Sequence, residues 1–142
     1  MKNCFAAALA ILLVGCAATG GGKAAKSCYH ANAAVETQIG YCEAVRSGNT
    51  LYVSGTVGQG DMTAATRSVY ERLQKTLAAN GLTFADVVKE NVYATDLEAF
   101  EKTEAIRKEF YGAAFPAATW VQVQRLYAPA FVLEVELTAT YP

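Results

Sequence analysis

The chain has little of what most metal and nucleophile chemistry needs. It holds one His, His30, and three Pro in 142 residues. A single His excludes the paired imidazoles of acid–base nucleases. The four Cys form no CxxC, and no HExxH occurs, so the spacing of a dedicated zinc site is missing. Basic runs are missing as well. Twelve Lys and Arg stand against thirteen Asp and Glu, and nucleic-acid phosphates need clustered cations. Charged residues make up 18%, whereas 53% of residues are hydrophobic. That balance excludes a disordered chain and supplies the core of one domain.

The longest apolar run, Phe5 to Val14, follows Lys2. A spanning helix needs roughly 20 apolar residues, so the run has the length of a signal-peptide core. It closes as Leu13-Val14-Gly15-Cys16, which resembles the lipobox of bacterial lipoproteins. Ala17 to Gly22 then has a linker's composition. The expected division is a signal peptide over 1–15, a lipidated Cys16 and flexible linker over 16–28, and a domain over 29–142. Lipid on Cys16 would anchor the chain in the cell envelope without a spanning helix. Ala17 lacks the Asp that would resemble an inner-membrane retention signal, which points to the outer membrane.

That compartment permits disulfides. Cys28 and Cys42 lie 14 positions apart. They are either a disulfide or two small buried residues, since spacing alone does not give the Cα distance. His30, beside the linker, has no fixed relation to either thiol in the sequence. No general base for a nucleophilic Cys is therefore visible.

Within the domain, Cys42–Ser47 and Thr50–Gly55 flank the turn Gly48-Asn49 and read as a hairpin. Thr56–Asp61 reads as a loop. Ala65, Val69, Leu73 and Leu77 recur every four residues, predicting a helix that stops at Asn80-Gly81. Val87–Ala94 is a strand. Thr95-Asp96 caps a second helix with Leu97, Phe100, Thr103, Ile106 and Phe110 inward. Thr119–Val123 and Val132–Thr140 complete an α+β order β-β-α-β-α-β-β, with both helices on one face of a mixed sheet. The other face remains apolar and calls for a second subunit.

Several stretches, in this order, are similar to the RidA/YjgF family: Ile39-Gly40-Tyr41, Gly48 to Gly55, Asn80 to Lys89, Tyr93 to Leu97 with Phe100, Phe115-Pro116-Ala117, Val121 to Leu126, and Leu133 to Glu136. The resemblance spans roughly residues 29–140. It implies a chorismate-mutase-like fold, a homotrimer, and ligand clefts between subunits. It also implies hydrolysis of enamines and imines of 2-oxo acids with release of ammonia, and no metal or organic cofactor.

The implied catalytic residues are Tyr41, Ser54 and Glu134. The family's Pro-Ala-Arg-Ser/Thr run, whose Arg holds the substrate carboxylate, is here Pro116-Ala117-Ala118-Thr119. Ala118, Thr119 and Trp120 are the substrate-binding positions, and losing the Arg fork removes two charge-assisted bonds. By strand alternation Trp120 shares a face with Ala118, and its indole either fills the guanidinium's space or packs an interface. Arg125 falls on the opposite face by the same count. Glu134 and Glu136 share a face, as a solvated edge or as a pocket acid with a partner.

The reading is a divergent binder or hydrolase of a different small metabolite. The alternatives are a conventional 2-iminobutanoate/2-iminopropanoate deaminase and a non-catalytic, membrane-anchored trimeric module. Neither a His pair nor a basic groove supports a nucleic-acid partner.

Overall fold

The structure, a computed structural model, describes residues 25–142. The segment expected to be a signal peptide, the expected lipidation at Cys16 and the Gly-rich stretch lie outside the described residues. Six strands form one mixed sheet in the order β1-β2-β3-β6-β4-β5. They are β1 (Lys26–Tyr29), β2 (Ala44–Ser47), β3 (Thr50–Gln59), β4 (Val87–Ala94), β5 (Ala117–Gln122) and β6 (Phe131–Thr140). The pair β4–β5 is parallel and the other pairs are antiparallel. Among the described residues four α-helices accompany them, α1 (Ala33–Ile39), α2 (Met62–Ala79), α3 (Leu97–Glu101) and α4 (Glu104–Tyr111), with a short 3-10 turn at Phe84–Asp86.

The α+β class and the order from β2 to β6 match the sequence reading. Four local features differ. Strand β1 begins at Lys26, inside the segment expected to be linker, and pairs antiparallel with β2. A four-residue edge strand carries too little periodicity to be read from sequence. Helix α1 was also not expected; Asn32 caps it and Gly40 ends it in the left-handed region. Strand β3 runs on to Gln59 through the segment read as a loop. Its glycines are there for close approach: a Cβ on Gly58 would lie 2.9 Å from Ala65 Cβ and Val69 Cγ2 of α2. The second helix breaks at Lys102–Thr103 into α3 and α4, where Thr103 Oγ1 donates to the Phe100 carbonyl.

The helix-side core follows strict alternation. Leu133, Val135, Leu137 and Ala139 of β6 are buried, as are Val92 and Ala94 of β4 and Leu51 and Val53 of β3. Val69, Leu73 and Leu77 of α2 cover them. The opposite sheet face carries Glu134, Glu136, Tyr93, Asn91 and Tyr52, and Tyr52 is more than half exposed. Among the described residues no helix is long and apolar enough to cross a membrane.

A disulfide joins Cys28 of β1 to Cys42, with a Cα separation of 5.6 Å. It closes a loop of about 15 residues, for which chain entropy gives about 3 kcal/mol. Replacing both by Ala should lower stability by that order in a urea titration at fixed pH. A loss below about 0.5 kcal/mol would mean that β1 adds no constraint the unfolded chain lacks.

Candidate functional site

A cavity of about 460 Å³ opens on the sheet face opposite α2, between that face and the end of α1. Ile39, Tyr41, Ser54, Gly55, Val57, Tyr127, Phe131 and Glu134 line it. The three residues expected to be catalytic, Tyr41, Ser54 and Glu134, therefore meet in one place.

Backbone irregularity creates the meeting. Strand β3 slips register against β6 between Val53 and Thr56, so Ser54 and Gly55 occupy the space of one residue. Such bulges re-aim side chains beside functional sites. Ser54 Oγ donates to the Cys42 carbonyl at 2.7 Å. Its proton is thereby used, and a ligand N–H meets it as an acceptor. Gly55 leaves the space above its Cα to the Glu134 carboxyl, and any Cβ there would overlap Oε1. Gly55→Ala should displace that carboxyl and abolish ligand binding while the fold persists. Ligand-detected NMR alongside a thermal melt checks both.

The electrostatics fit a proton-transfer group. Burial first, then the neighbouring Glu136 charge, push the Glu134 carboxyl above the usual carboxylate range. Glu136 differs: it accepts from Asn91 Nδ2 at 2.7 Å and from the Tyr93 hydroxyl at 3.1 Å. Among the described residues no hydrogen bond reaches the Glu134 carboxyl, although its backbone is held in the ladder between β3 and β4. Because β6 is central in the sheet, the solvated-edge reading of this acidic pair does not apply. Burial and the charges of Glu36 and Glu43 raise the Tyr41 phenol, which stays a donor at neutral pH. Among the described residues no Lys or Arg lines the cavity.

The other three expected residues stand elsewhere. Strand β5 lies beyond β4, two strand spacings or about 10 Å from β6. Thr119 is on the open face, where its hydroxyl accepts from Lys89 Nζ at 2.5 Å. Trp120 turns to the helix side. It meets Phe100 edge-on at 5.3 Å and donates from Nε1 to Glu90 Oε2 at 3.2 Å. Ala118 shares that face by alternation and pairs in register with Glu90. Glu90 is fully buried and also accepts from the Tyr70 and Tyr111 hydroxyls and from Arg107 Nε, at 2.7–2.8 Å. A guanidinium thus stands near this end of β5, supplied by α4, but Glu90 engages it.

Sequence reasoning missed Tyr127, Phe131, Ile39 and Val57. Tyr127 was readable as an aromatic in the Tyr-Ala-Pro-Ala turn. Arg125 was misplaced: β5 ends at Gln122, so strand counting does not reach it. It donates to the Leu126 and Tyr127 carbonyls and holds the loop that brings Tyr127 to the cavity. His30 was misplaced too. Strand β1 sets its Nε2 3.1 Å from Cys28 Sγ, and its Nδ1 contacts Glu36 Oε2 at 2.7 Å.

The family model described as Endoribonuclease L-PSP matches residues 31–141, which include every residue of this cavity. The chain belongs to that family. Among relatives of this Endoribonuclease L-PSP family member is the RutC family protein YjgH of Escherichia coli K12, 33% identical over 110 residues, 72% of this chain and 83% of the relative. A 2-iminobutanoate/2-iminopropanoate deaminase of Dermatophagoides farinae is 30% identical over 95 residues, 61% of this chain and 74% of the relative. The crystal structure of Rv2704 from Mycobacterium tuberculosis, of the YjgF/YER057c/UK114 family, superposes with TM-score 0.75 at 31% identity. It covers 82% of this chain and 100% of that one.

Proposed function

We propose that this family member binds a small imine- or enamine-like metabolite that presents no carboxylate to a guanidinium, and hydrolyses it through Glu134. The observation that carries the reading is the raised Glu134 carboxyl, set over bare Gly55 in a cavity that, among the described residues, no Lys or Arg lines. Glu134 takes a proton from water as it attacks the C=N carbon and returns it to nitrogen. The carbinolamine then collapses to a carbonyl product and ammonia. Ser54 accepts from the substrate N–H, and the Tyr41 hydroxyl donates to the oxygen that forms.

The uncovered sheet face with Tyr52 supports assembly as a homotrimer, as the family resemblance implies. Ala118 and Thr119 would then reach the ligand from a neighbouring copy, since within one chain they lie strands away from Glu134. A lipid on Cys16 would hold the trimer in the envelope. The deaminase name of the Dermatophagoides relative favours a second reading, a conventional 2-iminobutanoate/2-iminopropanoate deaminase. The family's endoribonuclease description finds less support: among the described residues the one charged side chain lining the cavity is a carboxylate, which repels phosphodiesters.

The test generates 2-iminobutanoate in situ and follows its loss with wild type and with Ala118→Arg. Wild type should be no faster than buffer, and Ala118→Arg should gain activity. Wild-type turnover equal to that of an Arg-containing relative overturns the carboxylate-free reading and leaves the conventional enzyme.

A further inference from the structure

We propose that, when the Cys28–Cys42 disulfide is reduced, its two sulfurs and His30 Nε2 form a binding site for a thiophilic d10 cation, with Zn²⁺ as the probe. The site lies outside the cavity and follows from geometry. The Cys28, Cys42 and His30 ligand atoms lie within 4.8 Å of one another. Cys28 Sγ is 3.1 Å from His30 Nε2. With Zn–S near 2.3 Å and Zn–N near 2.0 Å, ligand atoms around a tetrahedral centre sit about 3.3–3.8 Å apart. The 5.6 Å Cα separation lets both thiolates reach one centre from the present backbone.

The imidazole is oriented for the task. Its Nδ1 is engaged by Glu36 Oε2 at 2.7 Å, which directs Nε2 at the sulfurs. Metal-binding His residues carry this carboxylate partner, which fixes the tautomer. Glu36 is itself held: it is 2% exposed and accepts from the Asn32 amide at 2.6 Å and the Glu43 amide at 3.2 Å. A buried carboxylate committed to one face of the only His is more than β1 needs for anchoring, since the disulfide already supplies that. Cys28 is exposed, so the cation enters from solvent and keeps a fourth position for water.

The step balances. A dithiol reductant gives two electrons and two protons to the disulfide and becomes a disulfide itself. The cation then displaces the two thiol protons to solvent. A disulfide oxidant takes the two electrons, is cleaved to two thiolates, re-forms the Cys28–Cys42 bond and frees the cation, so the site is open only in the reduced chain.

The experiment uses the full chain, oxidised or reduced by a phosphine that is then removed anaerobically. Zn²⁺ is titrated against a chromophoric chelator, and Co²⁺ serves as the spectroscopic probe. The reduced chain should take up one equivalent that the oxidised chain does not, and cobalt should show thiolate charge-transfer absorption. Cys28→Ser, which keeps Cys4 and Cys16, should lose both. His30→Ala should weaken binding more than tenfold, and Glu36→Gln about 10–100-fold. Should Glu36→Gln fail to fold by circular dichroism, His30→Ala, which leaves the carboxylate in place, carries the test. Equal uptake by oxidised and reduced chains, no effect of Cys28→Ser or His30→Ala, or no uptake by the reduced chain overturns the proposal.

Discussion

Glu134→Gln should lower kcat/KM for the imine substrate by about 10²–10⁴-fold, the usual contribution of a positioned acid–base group, while ligand binding and the fold remain. Gln is nearly isosteric and keeps the contact above Gly55, so the loss reports proton transfer. The acid limb of the wild-type pH profile should lie above the ordinary Glu value of about 4.3, because burial and then Glu136 hold Glu134 high. Glu136→Gln should move that limb down. Stability should respond in the opposite sense. A carboxyl whose folded-state pKa is raised contributes stability below its unfolded value and loses it as pH rises through the folded value. Glu134→Gln removes that loss, so the variant should be at least as stable as wild type near pH 7. A variant retaining full turnover, or one less stable at neutral pH, overturns the role given to Glu134. Steady-state kinetics and urea titrations across pH measure both.

The largest stability effect should come from Glu90→Ala, about 3–5 kcal/mol, the range for removing one partner of a buried ion pair. The carboxylate receives Arg107 Nε at 2.8 Å, the Tyr70 and Tyr111 hydroxyls and the Trp120 indole N–H. Glu90 and Arg107 are 0% and 7% exposed. Truncation leaves a buried guanidinium and three donors without an acceptor, at a cost each would not incur in water. Burial first, then the Glu90 charge, raises both phenols, so they remain donors throughout the accessible pH range. The double replacement of Glu90 and Arg107 by Leu removes both charges, so it should cost less than the two single changes summed. A midpoint shift for Glu90→Ala worth under 1 kcal/mol would remove this cluster from the account of stability.

This cluster marks where sequence reasoning stops. The three cavity residues were legible because Tyr41, Ser54 and Glu134 sit in stretches whose order and spacing carry the family resemblance. The elements from β2 to β6 were legible because their hydrophobic periods are long. The orientation of Trp120 was not. Alternation correctly placed Trp120 and Ala118 on one face, but not which face, since that depends on Glu90, thirty residues earlier, and Arg107 on another helix. Strand β1 and the setting of His30 were hidden for a related reason. Four residues held by β2 and a disulfide owe their form to partners rather than to local pattern. The Val53–Thr56 bulge follows from how β3 pairs with β6, and a single strand's alternation does not announce it.

The stitched edge also has a mechanical meaning. Load entering from the N-terminal side would peel β1 from β2 one hydrogen bond at a time, beginning at the Lys26–Ser47 end. After Ser27 it meets the covalent link at Cys28 and passes directly to Cys42, next to Tyr41 at the cavity. In the oxidised chain a pull from the N-terminal side of Lys26 is therefore borne by sulfur, and the sheet is spared. In the reduced chain the same pull strips the strand that holds His30.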